Sequence, residues 1–158
     1  MLTEDFLRDF KRSTEDYWRR TSINSAVYGF QFQPGTRWNP GLSVEETGEY
    51  EHALGVYFPN DFRAFLRVAN GTDIPTLNVY GYCGEPLRES VGVYSYPRDL
   101  AEVRRRIKDV EVDREQLVVT MAEQGFDLAP KDSLVPICGP PLRGLYFRRY
   151  EERRFVDR

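Results

Sequence analysis

Chemistry in this chain would have to run through very few side chains. His52 is the sole histidine among 158 residues. A two-histidine metal motif is therefore excluded, and a Ser-His-Asp relay would depend on that one imidazole. It lies on a charged helical stretch two residues before Leu54, where it reads as a solvated histidine or one facing the C-terminal end of a helix dipole. No serine stands in G-x-S-x-G, and neither the phosphate loop G-x-x-x-x-G-K-[ST] nor G-x-G-x-x-G occurs. Glu45 and Glu49 share one helical face and have the spacing of a carboxylate pair. With no supporting site around them they read as surface charges. Arg104, Arg105, Arg106 and Lys108 have the composition of a phosphate site, but Glu102, Asp109, Glu111 and Asp113 offset them, so a solvated helix face is preferred. The inventory predicts a protein that binds, with no enzymatic activity, no cofactor and no metal.

Two groups of residues suit protein contact. Glu45, Glu46, Glu49 and Glu51 crowd negative charge onto a single helix. Residues 1–80 hold 8 Lys+Arg against 11 Asp+Glu, whereas residues 81–158 hold 14 against 14. The cluster is either a solvated face or a patch that steers a basic protein partner. Tyr80 and Tyr82, then Tyr94 and Tyr96, alternate within two β-like stretches, so each pair shares one side of its strand. That side is either core or a rigid amphipathic contact surface of the type interfaces favour. The candidate partner-binding residues are accordingly Glu45, Glu46, Glu49, Tyr80, Tyr82, Tyr94 and Tyr96.

Composition sets the frame for these residues. A hydrophobic fraction of 41%, a charged fraction of 30% and a net charge of −3 fit one soluble domain over residues 1–158 and argue against nucleic-acid binding through bulk charge. Cys83 and Cys138 form no C-x-x-C pair and read as free thiols in a reducing compartment, with a single disulfide as the alternative. The opening MLTEDFLRDFKRS has no apolar h-region, and no run approaches the roughly 20 apolar residues that span a bilayer. A cytoplasmic protein without membrane contact is expected.

The elements that must position these groups are marked by local signals. Thr3 to about Arg20 reads as an amphipathic helix with Phe6, Leu7, Phe10, Thr14, Tyr17 and Trp18 inward. A turn-rich passage follows around Gln33-Pro34-Gly35 and Trp38-Asn39-Pro40-Gly41, with Trp38 as a core lid. Ser43 and Glu46 have capping-box spacing, Thr47, Tyr50 and Leu54 form a narrow inward stripe, and Gly55 closes the helix. Pro59 opens a second helix that Asn60 or Asp61 can cap or charge. Its Phe62, Phe65, Leu66 and Ala69 face inward until Asn70-Gly71. Thr76–Tyr82 and Val91–Tyr96 read as strands around a Gly84–Ser90 turn region. A helix follows from Leu100 to about Lys108, with Leu100, Val103 and Ile107 inward. Gln116–Gln124 suits a short helix or a strand, and helix is favoured. Leu134–Ile137, Leu145–Tyr150 and Arg153–Val156 read as short strands, with a loop over Gly139–Gly144. The order implies an α+β fold with one mixed, mainly antiparallel sheet.

The segment Leu42…Glu51-x-x-Leu54-Gly55-x-x-x-Pro59-x-Asp61-Phe62-Arg63-x-Phe65-Leu66…Asn70-Gly71 resembles the signature of the SUKH superfamily, which contains cell-wall-assembly regulators and bacterial toxin-immunity proteins. Leu134–Ile137 followed by Gly144-x-Tyr146 resembles that family's second marker, so the resemblance covers about residues 40–150. Phe58 stands where the family usually carries an aliphatic residue. The resemblance implies an α+β fold and a non-catalytic protein that binds and neutralises a cognate polymorphic toxin, with a scaffold or regulatory adaptor as the alternative. The matching residues Glu51, Leu54, Gly55, Pro59, Phe62, Phe65, Leu66, Asn70 and Gly71 are expected to specify the fold, and partner selectivity is expected to lie outside them.

Overall fold

The computed structural model describes residues 3–79, 88–112, 114–125 and 134–137. Along the chain it forms α1 (Glu4–Arg20), β1 (Gly29–Phe32), α2 (Val44–Leu54), α3 (Asn60–Val68), β2 (Thr76–Val79), β3 (Arg88–Ser90), α4 (Leu100–Val112) and α5 (Arg114–Glu123). The strands make an antiparallel sheet in the order β1-β2-β3, with Gly29 opposite Val79 and Thr76 opposite Ser90. The fold is α+β.

Local signals account for the start of α1 and both ends of α2. Thr3 caps α1 by accepting the Phe6 N–H. The capping box of α2 is complete, with Glu46 N–H donating to Ser43 Oγ at 3.1 Å and Ser43 N–H to Glu46 Oε2 at 2.7 Å. Gly55 closes that helix at φ 67°, a left-handed conformation that costs glycine nothing. In α3 the N-cap is Pro59, without a side-chain cap, and Asp61 takes the charging role among the expected options by placing a carboxylate in the first turn.

Two apolar clusters hold the elements together. The larger joins Leu42, Tyr50, Val56, Phe58, Phe62, Leu66, Tyr94, Val103 and Val135. The smaller joins Trp18, Trp38, Ala69 and Val93, and Phe65 and Ile137 pack against both clusters. Trp38 is a lid as expected: it is buried, and its Nε1–H donates to Thr14 Oγ1 at 2.8 Å. α1 is tied down further by an Arg67–Glu4 ion pair at 2.8 Å and by Lys11 Nζ donating to the Val68 carbonyl at 3.2 Å.

Several expectations are corrected. The stretch Val91–Tyr96 forms only a bridge at Val93, with the Tyr94 N–H donating to the Ile137 carbonyl at 2.9 Å, and side chains take up the backbone groups at its end. Asn70 bonds both the Tyr96 N–H and the Tyr96 carbonyl, and Asp99 accepts the Ser95 N–H. Part of the expected turn, Arg88–Ser90, is instead β3. β1 lies just ahead of the turn-rich passage, in residues to which the sequence assigns no element, because its ladder partner is 44 or more residues away in sequence. Leu134 and Val135 are buried, but 134–137 makes only a single bridge at Pro136. On α1, Leu7 and Trp18 are buried while Phe6, Phe10 and Tyr17 are exposed. The helix docks along the Leu7–Thr14–Trp18 line, and the other three lie roughly 90° around it at 100° per residue. The ambiguous Gln116–Gln124 stretch falls in α5. The expected strands at Leu145–Tyr150 and Arg153–Val156, the Gly139–Gly144 loop and the Gly144-x-Tyr146 marker lie outside the described residues, as do Cys83 and Cys138.

Candidate interaction surface

α2 is the element that sorts structural from available residues most sharply. Its inward side buries Thr47, Tyr50 and Glu51. Glu51 is a structural carboxylate: its Oε1 accepts the Phe58 N–H and the Arg63 guanidinium at 2.8 Å. Tyr50 stacks on Tyr96 at 4.6 Å between ring centroids and meets Phe58 edge-on at 5.1 Å. Burial, reinforced by the Asp99 carboxylate, pushes the Tyr50 hydroxyl well above its ordinary value. The C-terminal end of α2 is covered by Arg104, whose guanidinium donates to the Ala53 carbonyl at 2.8 Å.

The outward side of α2 presents Val44, Glu45, Gly48, Glu49 and His52 to solvent. Val44 is 66% exposed, and Tyr57 just past the helix is 69% exposed. Glu45 and Glu49 form no ion pair with any described residue. Glu46 differs, because its carboxylate is engaged in the capping box. Gly48 has open space where a Cβ would stand, with no atom within 4 Å, so packing inside the molecule gives no reason for glycine there. The arrangement can offer negative charge and a low-relief apolar strip to a basic protein surface.

The tyrosines divide differently. Tyr94 is buried in the larger cluster, which is the core alternative of the expectation and removes it from the contact candidates, and Tyr96 is half-buried beside it. The Tyr94 hydroxyl is buried, and burial raises its pKa against the opposing effect of the neighbouring Arg106. Tyr80 and Tyr82 lie outside the described residues. The arginine run on α4 is also accounted for: Arg105 and Arg106 both bond Glu102, at 2.6 and 3.0 Å. The Arg105 hydrogen bond is the main cause of a Glu102 pKa below the ordinary carboxylate value.

One surface escaped sequence reasoning. An open cleft of about 780 Å³ lies between the end of α1 and the chain entering β1, lined in part by Tyr17, Arg20, Ile23, Val27 and Phe30. Its wall is shaped by Gln31, whose side chain bonds Asn24 and Val27 backbone groups at 2.6–2.8 Å. The alternation of Phe30, Gln31 and Phe32 was the available signal. Among the described residues no group of three His, Cys, Asp or Glu side chains is placed to hold a metal, and no helix is long and apolar enough to cross a membrane. No protein-family model matches the chain, and neither a curated protein nor a solved structure matches it.

Proposed function

We propose that this chain is a cytoplasmic immunity protein of the SUKH type, which neutralises a cognate toxin domain by non-catalytic surface contact. The observation that carries the reading is the outward face of α2. There Glu45 and Glu49 are unneutralised beside exposed Val44 and Gly48. The residues that carry the family resemblance support a division of labour. Glu51, Phe62, Leu66 and Asn70 are buried in cores and hydrogen bonds, which leaves contact to residues outside the motif. In this reading the acidic face accelerates encounter with a basic toxin surface, an effect worth ~10- to 1,000-fold in association rate for well-matched fields.

Co-expression and pull-down with toxins encoded beside the gene tests the proposal. Neutralisation and a stable complex are the expected result. A set of neighbouring toxins, none of which is bound or neutralised, refutes it. A stable partner that is not a toxin favours the adaptor alternative.

A further inference from the structure

We propose that the outer seam of α1 docks one amphipathic helix of a partner protein, with lysine or arginine flanking that helix's apolar stripe. The proposal concerns a different surface from the α2 face and does not depend on it. Phe6, Phe10, Ser13 and Tyr17 recur at spacings of four, three and four, the a/d pattern of a helix that packs against another helix. Phe6 is 56% exposed, Phe10 40% and Tyr17 67%. The fold does not need these rings inward, because α1 already buries Leu7 and Trp18 on another side.

The seam is also prepared to receive a helix. Phe10 rests against Trp38, with 6.0 Å between ring centroids, so its position is fixed by the smaller core. Ser13 leaves a hole between Phe10 and Tyr17 for a large side chain of the partner. The open cleft begins at Tyr17 and continues past Val27 and Phe30 among polar side chains such as Arg20, Asn24 and Gln31, so the seam runs into a mainly polar opening beyond the end of α1.

Charge selects the occupant. Asp5, Asp9 and Asp16 line the solvent side of the seam, interrupted by Arg12 and ending at Arg20. Asp9 pairs with Arg12 at 3.3 Å and Asp16 with Arg19 at 2.9 Å, but these pairs are solvent-exposed and readily exchanged. Antiparallel pairing of two copies would set Asp9 of one opposite Asp16 of the other, a like-charge contact that disfavours self-association. A helix bearing lysine or arginine at those flanking positions meets carboxylates instead.

The test uses a labelled 21-residue helical peptide with leucine at a and d and lysine at e and g, together with a twin carrying glutamate at e and g. Fluorescence anisotropy with the full chain at low salt is expected to show at least tenfold tighter binding of the lysine peptide. Phe6→Ser with Tyr17→Ser should weaken it at least tenfold while the circular-dichroism melt is unchanged. Asp9→Lys with Asp16→Lys should reverse the preference toward the glutamate peptide. Equal binding of both peptides, no binding of the lysine peptide, or binding indifferent to the Phe6/Tyr17 pair overturns the proposal. Self-association of the chain in sedimentation experiments, abolished by that same pair, assigns the seam to a second copy and equally overturns it.

Discussion

Replacing Glu51 with alanine tests the claim that this carboxylate holds α2 to α3. The side chain is buried, and its Oε1 accepts both the Phe58 N–H and the Arg63 guanidinium. Removing it leaves the Phe58 N–H without its acceptor, at a cost of ~1–3 kcal/mol for a buried donor. Arg63 is 40% exposed, so water compensates much of its loss and that contribution is held to ~0.5–1 kcal/mol. The expected destabilisation is about 2–3 kcal/mol. At a urea slope of roughly 2 kcal/mol/M this lowers the unfolding midpoint by about 1–1.5 M. Glu51→Gln keeps an oxygen acceptor for Phe58 but not the charge, and should cost about 1 kcal/mol. Equilibrium urea unfolding followed by tryptophan fluorescence reads all three proteins. An alanine variant within about 0.5 kcal/mol of wild type, or a glutamine variant as damaged as the alanine one, would refute the reasoning.

Two glycines should respond in opposite directions. Gly48→Ala removes a helix-interior glycine where the new methyl meets nothing, so thermal unfolding should rise by ~2–4 °C for a gain of up to ~1 kcal/mol. Gly71→Ala places a Cβ 2.7 Å from the Tyr94 carbonyl oxygen at φ +68°, and the same melt should show a loss of about 2–4 kcal/mol. Tyr50 predicts an alkaline effect. Its folded pKa lies above the ordinary 10.0, so the neutral phenol stabilises the fold fully below pH 10, and that contribution is lost as pH rises past 10. Urea unfolding at pH 8 and pH 11 should show wild type losing stability relative to Tyr50→Phe at the higher pH; a constant difference contradicts it.

How much of this was legible in the sequence depended on how local the information was. The α2 ends were readable because Ser43, Glu46 and Gly55 satisfy backbone groups within their own turn. The strands were harder, since β1 exists only by pairing with β2 far along the chain, and Gly29–Phe32 is too short to announce itself. Val91–Tyr96 alternates like a strand, yet Asn70 and Asp99 claim its backbone from outside the segment. For the surface, Glu45 and Glu49 could be placed outward from helical phase alone. The engagement of Glu46 in its cap is equally visible in the Ser43–Glu46 spacing, and it sets Glu46 apart from Glu45 and Glu49 as a contact. The exposure of Phe6, Phe10 and Tyr17 was not legible, because a six-residue apolar stripe does not say which part of its arc meets the core. That choice is made by Trp38 and Thr14 across 24 residues.

The outward face of α2 as the contact for toxin neutralisation is the central claim, and a growth-rescue assay in cells expressing a toxin encoded beside the gene addresses it most directly. Glu45→Lys with Glu49→Lys is the informative variant, because it reverses the free charges and leaves the Glu46 cap intact. Wild type should rescue growth. The variant, folded to the same circular-dichroism melt, should associate with the purified toxin at least ~10-fold more slowly at low salt and lose most of that difference at high salt. Rescue and association unchanged by the two reversals would contradict the account.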